Sequence, residues 1–455
     1  MKRRDIIRRA ARNLRQAKGR TILTALAISV GAFTLTLSLA IGAGTRNYFA
    51  TIMETNINPQ VLLVAADKNL MSVTGGGANG LKEYDPTAES FGGGYSYKTL
   101  GPQEIATIKA DNDVTEVTPG YDVQAEYFRY NGSDKKYSSA VMAYDTSIRS
   151  DVTAGTLPEL GKHIGNSDIV IPESYLETLG VKQPKDAIGK PVSLHVIRSP
   201  QQLSEQQIEQ IYLESGRAGL AAVSQADAQD FTYTVRAVIA KPATSFAQPN
   251  QLSIASSEAQ RLSEFITQGT SRYQRYMTAN VAVKDGVDPE VVKQRLQKKG
   301  LSVMTAKDLQ GMLFTMVNVA QGVIAGFGVL ALLASIFGII NTQYISVLER
   351  TSQIGLMKAL GMSNRAVGKL FRYEAAWIGF LGGLFGAAIA VVLGLALNPV
   401  ITKQLKLGEG NSLLAFQVLP IVLLIIFLVF IAIAAGWLPS RKAARLNPTE
   451  ALRTE

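Results

Sequence analysis

The sequence predicts a membrane protein with four transmembrane α-helices, long stalk helices and one large extracytoplasmic α+β domain. Three observations predict it. Four blocks, residues 21–44, 314–347, 375–397 and 416–437, contain no Asp, Glu, Lys, Arg or His, and each is long enough to cross about 30 Å of hydrocarbon as a helix. Lys and Arg gather on particular flanks of those blocks. Between the first and second blocks lie residues 45–313, which mix period-two strand patterns with proline-opened helices.

Charge sets the direction of the chain, because cytoplasmic flanks collect basic residues. Residues 1–20 carry nine Lys or Arg against the single Asp5, residues 348–374 carry five against two acidic residues, and residues 438–455 carry four against two. Residues 45–313 carry 26 basic and 30 acidic residues. Both termini and 348–374 are therefore expected in the cytoplasm, with 45–313 and the short loop 398–415 outside the cell (inner) membrane. The net charge of +10 is a topology signal, and nucleic acid is not an expected partner. A first block that starts at residue 21 is too long for a typical secretory h-region, so it is expected as an uncleaved signal anchor.

At the N-terminus, Ile6, Ile7, Ala10, Ala11 and Leu14 fall on one half of a helical wheel and Arg8, Arg9, Arg12 and Arg15 on the other. This predicts an amphipathic helix within 1–20 that lies along the inner leaflet. Beyond the first span, Tyr48, Phe49, Ile52 and Met53 keep helical spacing. Before the second, Thr305 and Asp308 form a capping start, and Leu309, Met312, Leu313 and Met316 continue the stripe. One helix over 305–348 would be about 66 Å long at 1.5 Å per residue, so part of it would stand outside as a stalk. A break near Gly311 or Gly322 is the alternative.

Within 45–313, strands are expected over 126–130, 139–144, 168–172, 192–198, 233–240 and 279–284, and helices over 102–110 and 289–298, each opening with proline. Asp288 is the expected N-cap of the second helix and Gly300 its stop. With 279–284 before it and 301–304 after it, this is a β-α-β unit, and the two helix-strand pairs look like a weak internal duplication. Two stretches read as insertions. Residues 72–96 hold GGGANG and FGGGYSY, a flexible loop by composition, and 199–230 have a helical middle over 203–214. No Gly-Lys pair is followed by Ser or Thr, so no P-loop for ATP is expected.

The absence of cysteine excludes disulfides, thiolate metal sites and a Cys nucleophile. His163 and His195 are expected as ordinary surface or strand residues. No constellation of nucleophile, base or metal ligands emerges, so the chain is not expected to be an enzyme. Inside the four blocks the most polar groups are Asn318, Gln321, Asn341 and Gln343. Ion-coupled transporters keep ionisable residues inside the bilayer, so the energy for work is expected to enter from a partner. Gly379, Gly382, Gly383 and Gly386 form two overlapping Gly-x-x-x-Gly pairs in the third span, and Gly322 and Gly326 lie in the second. Such small faces let helices approach closely, either within the chain or against a second copy.

Between the second and third spans, residues 347–371 read VLERTSQIGLMKALGMSNRAVGKLF, too charged to lie in lipid. Ile354, Met357, Ala359 and Leu360 recur at helical spacing, which predicts a short helix with one apolar face and with Arg350 and Lys358 in water. Gly361 is the expected C-terminal stop and Ser363 the N-cap of the next helix.

The order Glu349-Arg350, Ile354-Gly355, Ala359-Leu360-Gly361 resembles the intracellular loop of the FtsX/MacB-like ABC transporter permeases of the mechanotransmission superfamily (type VII). Asn13-Leu14, Arg20-Thr21 and Leu23-Thr24 resemble that family's start, and residues 439–453 its ending. Gln353 stands where the family usually has Glu, and Asn447 where Asp is commoner. The resemblance implies that the loop is a coupling helix, with Glu349, Arg350, Ile354, Gly355, Met357, Lys358, Ala359, Leu360 and Gly361 its docking residues. It also implies two copies of an ABC ATPase that hold ATP and Mg²⁺, no cofactor in this chain, and a second permease copy in a homo- or heterodimer. A porter-like subdomain and a β-rich one near 155–194 are implied outside. The implied activity is mechanotransmission that extrudes a peptide, lipid or drug. The alternative is an FtsX-like regulator of a cell-wall hydrolase, and either use admits an extracytoplasmic protein partner.

Overall fold

The computed structural model describes residues 3–16, 18–67, 88–91, 95–121, 123–199, 205–223, 227–240, 251–405, 407 and 411–453. Two compact units emerge. One joins Met1–Phe49 to Leu313–Glu455, and the other is Ala50–Met312. The chain opens with α1 (Arg3–Gln16) and α2 (Lys18–Asn56).

Ala50–Met312 is built on a four-stranded antiparallel sheet. After β1 (Val61–Ala65), the hairpin β2 (Ala88–Phe91) and β3 (Tyr95–Lys98) occupies part of the expected flexible loop. The GGGANG glycines lie outside the described residues. Next come α3 (Pro102–Lys109) and β4 (Val114–Pro119). The sheet is completed much later in the chain by β12 (Thr278–Val283), α6 (Pro289–Lys298) and β13 (Ser302–Met304). Its order is β13-β1-β12-β4, so β1 separates β12 from β13 and β12 separates β1 from β4. The two β-α-β units therefore interlock, which is how the weak duplication becomes one layer. Alternation decides the buried face: Leu62, Val64, Val281 and Val283 meet Ile108 of α3 and Val292 and Leu296 of α6. Asp288 Oδ1 accepts the Glu290 N–H at 3.0 Å, and Gly300 ends α6 at φ +88°. Arg295 of α6 donates two bonds to Asp111, at 2.9 and 2.8 Å, and one to Asp113 at 2.6 Å, tying α6 to the turn before β4.

Between β4 and β12 comes the second sheet. It contains β5 (Ala125–Tyr130), β6 (Val141–Ala143), β7 (Val152–Gly155), β8 (Asp168–Pro172), β9 (Pro191–Ile197), β10 (Ala228–Ile239) and β11 (Leu252–Ile254), with α4 (Glu205–Val223) before β10 and α5 (Ser256–Thr267) after β11. The order is β5-β9-β10-β8-β11-β6, with β7 beside β10. The Ile169-Val170-Ile171 run of β8 is buried on both faces, and Ala259, Leu262 and Ile266 of α5 join the core. His195 sits in β9 with Nδ1 2.6 Å from Asp230 Oδ1, and His163 pairs with Glu116 at 2.9 Å.

Helix α7 (Ala306–Glu349) is one helix of 44 residues that begins within Ala50–Met312 and continues into the other unit. It has no break at Gly311 or Gly322, and Asp308 N donates to Thr305 Oγ1 at its start. There follow α8 (Thr351–Ala359), α9 (Asn364–Gln404), α10 (Val418–Ala435), α11 (Trp437–Arg445) and α12 (Pro448–Arg453). Among the described residues, four stretches are long and apolar enough to span a membrane: α2, α7, α9, and α10 with α11.

Glycines of α9 decide how three of these pack. A Cβ at Gly382 would lie 2.6 Å from Ile28 Cβ and one at Gly386 would lie 2.3 Å from the Ser29 carbonyl, both on α2. At Gly379 it would lie 2.5 Å from Ala432 Cβ, and at Gly383 3.2 Å from Leu428 Cδ1, both on α10. The overlapping pairs thus serve two neighbours, with α9 between them. Gly322 and Gly326 differ, since a Cβ there meets nothing within 4 Å among the described residues.

The N-terminal helix corrects an expectation. Ile6 and Ala10 are buried against Leu370, with Tyr373 and Trp377 beside them, so this part of its apolar side is covered by α9 and not by lipid. Leu370 recurs three and seven positions before Tyr373 and Trp377 on α9, and that matching apolar stripe is what α1 finds first.

Candidate functional site

The motif 349–361 forms a corner at one end of the bundle, closed by hydrogen bonds and packing. Arg20 Nη1 donates to Glu349 Oε2 at 2.6 Å, joining the start of α2 to the end of α7. Arg350 Nη1 donates to Glu374 Oε1 at 3.2 Å, and Asn13 Nδ2 of α1 donates to the same oxygen at 2.7 Å. Glu374 is 2 % exposed. The guanidinium and the amide both serve this buried carboxyl group, which offsets part of the cost of burying it. Gln353 Oε1 accepts from Arg350 Nε at 3.3 Å; this residue, where the resembled loops carry Glu, helps to aim the guanidinium. Arg350 is accordingly a joint and not a solvated charge.

Lys358 is also paired, contrary to expectation. Its Nζ donates to the carbonyls of Ala444, at 3.1 Å, and Leu446. These close the C-terminal end of α11, where unpaired carbonyls carry the negative end of the helix dipole and favour a cation. Gly355 explains itself by space, because a Cβ there would lie 2.8 Å from Ala451 Cβ of α12. Ile354 is buried with Val347, Val367, Phe371 and Ala443.

The expected single apolar face of α8 is therefore divided. Met357 packs inward against both the Val347 cluster and the α1–α9 contact, whereas Leu356 and Leu360 are 53 % and 80 % exposed. Ala359 is exposed beside them. Ile354 and Met357 lie about 60° apart on the wheel with Leu356 about 100–160° from them, while Leu360 is the C-cap, exposed where the chain turns at Gly361. The corner itself is as expected. Met362 N–H donates to the Met357 carbonyl at 3.0 Å and Gly361 N–H to that of Lys358 at 3.0 Å, a Schellman closure with Gly361 at φ +92°. Ser363 Oγ then accepts from Ala366 N–H and caps α9.

Three participants escaped sequence reasoning. Glu374 stands just outside the third apolar block and reads as a flank charge; only its position ten residues inside α9 reveals that it is buried. Asn13 and Arg20 read as part of a basic leader. The available signal was that Glu349 and Glu374 are the only acidic residues in 348–374.

Comparison with known proteins agrees with this anatomy. The MacB-like periplasmic core domain model matches residues 21–299, more than half of the chain, and the FtsX-like permease C-terminal model matches 325–448. An ABC transporter permease of Methanocaldococcus jannaschii is 31% identical over 189 residues, covering 40% of this chain and 47% of that one. The macrolide export ATP-binding/permease protein MacB of Bdellovibrio bacteriovorus is 28% identical over 192 residues, 39% of this chain and 28% of that protein. The matched stretch thus spans less than half the length of these curated relatives. The crystal structure of the periplasmic region of MacB from Actinobacillus actinomycetemcomitans aligns over 56% of this chain and 94% of its own, at 11% identity and a TM-score of 0.30. By its matched domains, the chain belongs to the MacB-like, FtsX-like family of ABC transporter permeases.

Proposed function

We propose that this chain is the permease subunit of a MacB-like ABC system, and that a separate ATPase docks on the outward face of α8. The observation that carries this reading is the division of α8. Leu356 and Leu360 stand uncovered at the polar end of the bundle, while Glu349, Arg350, Gly355 and Lys358 tie the helix to α2, α9, α11 and α12. An apolar pair on a short helix suits a groove in a partner. The backing makes α8 a lever, since a push on it moves the spans and does not bend a loop.

In this account two ATPase subunits hold ATP and Mg²⁺, and the permease itself contributes neither cofactor nor catalytic residue. On the same reading α1, α8 and the C-terminal tail lie in the cytoplasm at the inner membrane and 45–313 outside, which the basic flanks support. The open glycine face of α7 at Gly322 and Gly326 is offered to a second permease copy. Closure of the ATPase pair pushes α8, and α2 and α7 carry the movement to the outer domain, which extrudes a peptide, lipid or drug.

The test is a Leu356→Asp, Leu360→Asp double variant. Burying unpaired charge at the contact costs several kcal/mol, so the ATPase is expected to be lost on purification of the folded variant. Wild-type co-purification would remove α8 as the docking element.

A further inference from the structure

A cavity of about 160 Å³ lies at the other end of the same unit, lined by Thr36, Leu39, Arg46, Gln321, Phe416 and Ile421 among others. Arg46 is 26 residues beyond Arg20 on α2, about 39 Å of helix rise. Its Nη2 donates to Asn318 Oδ1 at 2.6 Å and Gln321 Oε1 at 2.7 Å. Both acceptors are neutral amides, and no Asp or Glu is among the described residues that line the cavity. The charge is thus solvated by dipoles and has no counter-ion among the described residues of the site.

Two further donors converge there. Thr36 is completely buried, and its Oγ1 makes no hydrogen bond with any described residue. Thr24 and Thr34 of the same helix show the ordinary alternative, donating to the carbonyls of Arg20 and Val30 at 2.9 Å. Because Gln321 Oε1 accepts from Arg46, its amide nitrogen is left as a donor. The position of Gln321 is built in: Ser38 Oγ donates to its backbone carbonyl at 3.0 Å, and a Cβ on Gly42 would lie 2.3 Å from Oε1. Guanidinium, hydroxyl and amide N–H together require an acceptor-rich anion.

The surroundings specify where that anion is attached. Apart from Gln417 the remaining walls are apolar, and Val418, Leu419 and Val422, next to them in the chain, are exposed hydrophobics on a membrane span. The volume equals about five waters of liquid, enough for a phosphate group but not for acyl chains. We propose that this is a binding site for the phosphate of an anionic phospholipid, whose chains lie along the start of α10. The inference rests on the membrane assignment of the four helices and is independent of ATPase docking.

Native mass spectrometry of the full chain in detergent tests it, with phosphatidylglycerol, the diacylglycerol of the same chains, and inorganic phosphate as probes. Phosphatidylglycerol is expected to bind at least about tenfold more tightly than diacylglycerol, and millimolar phosphate is expected not to displace it. Arg46→Met is expected to cost about tenfold or more and Thr36→Val about threefold, with Arg46→Lys in between. Thr36→Val preserves shape, so it carries the test if Arg46→Met does not fold. The proposal is overturned by equal binding of diacylglycerol, by displacement with phosphate, or by wild-type phosphatidylglycerol binding in the folded Thr36→Val and Arg46→Lys variants.

Discussion

Alanine at Gly386 should destabilise the protein, although alanine normally improves a helix. An interior Gly→Ala change in an exposed helix gains about 0.5–1 kcal/mol from backbone entropy. At Gly386 the new Cβ would lie 2.3 Å from the Ser29 carbonyl oxygen, 2.6 Å from Ala32 Cβ and 2.9 Å from Phe33 N, where ordinary contact is 3.4–4 Å. Two of these three atoms are backbone, so no side chain can swing aside. The α2 and α9 axes must part by about 1 Å, an overpacking cost of about 1–3 kcal/mol. Gly338 is the internal control, helical on α7 with nothing within 4 Å of a Cβ. Thermal unfolding in one detergent should show Gly386→Ala about 2–10 °C below wild type and Gly338→Ala at or above it. A Gly386→Ala protein as stable as wild type would refute the α2–α9 packing described above.

Lys358→Met removes two charge-assisted bonds to the α11 carbonyls, worth about 1.5–3 kcal/mol. Hydrogen exchange over 437–453 should quicken about tenfold or more, with α8 still available to the ATPase; unchanged exchange would show that Lys358 does not hold the tail. In the outer domain, the Arg295 guanidinium bonded to Asp111 holds that carboxyl below its ordinary value of 3.8. The folded value is depressed, so this stabilisation is complete above the unfolded value and is lost as pH falls through the folded one. Stability of the Ala50–Met312 unit should therefore fall below about pH 4, and Arg295→Met should flatten that slope; an identical acid profile in the variant would contradict the assignment.

Much of the fold was legible because the controlling signals are local. Four uncharged blocks, Pro289 behind Asp288, and Gly361 before Ser363 each act within a turn or two of chain. What escaped depends on partners distant in sequence. The spacing of Ile354 and Met357 predicts an apolar side, but which of α8's apolar residues face inward is decided by Phe371, Ala443 and Ala451. Lys358 reads as a solvated charge until α11 ends beside it. Glycine spacing alone does not separate Gly382, which meets Ile28, from Gly326, which meets open space. The strand-helix pairs at 102–119 and 279–304 announce a duplication, yet their interlocking requires β1 and β12 to exchange places across more than 200 residues, which no window of sequence contains.

Because the chain has no cysteine, single thiols can report directly on an uncovered and a covered position of the α8 corner. Leu360→Cys and Met357→Cys variants, each co-expressed with the ATPase, should be treated with a short thiol–amine cross-linker in native membranes. The account predicts that Leu360→Cys joins the ATPase and that Met357→Cys, packed toward Phe371 and Leu370, does not. Cross-linking through Met357→Cys with none through Leu360→Cys would contradict it.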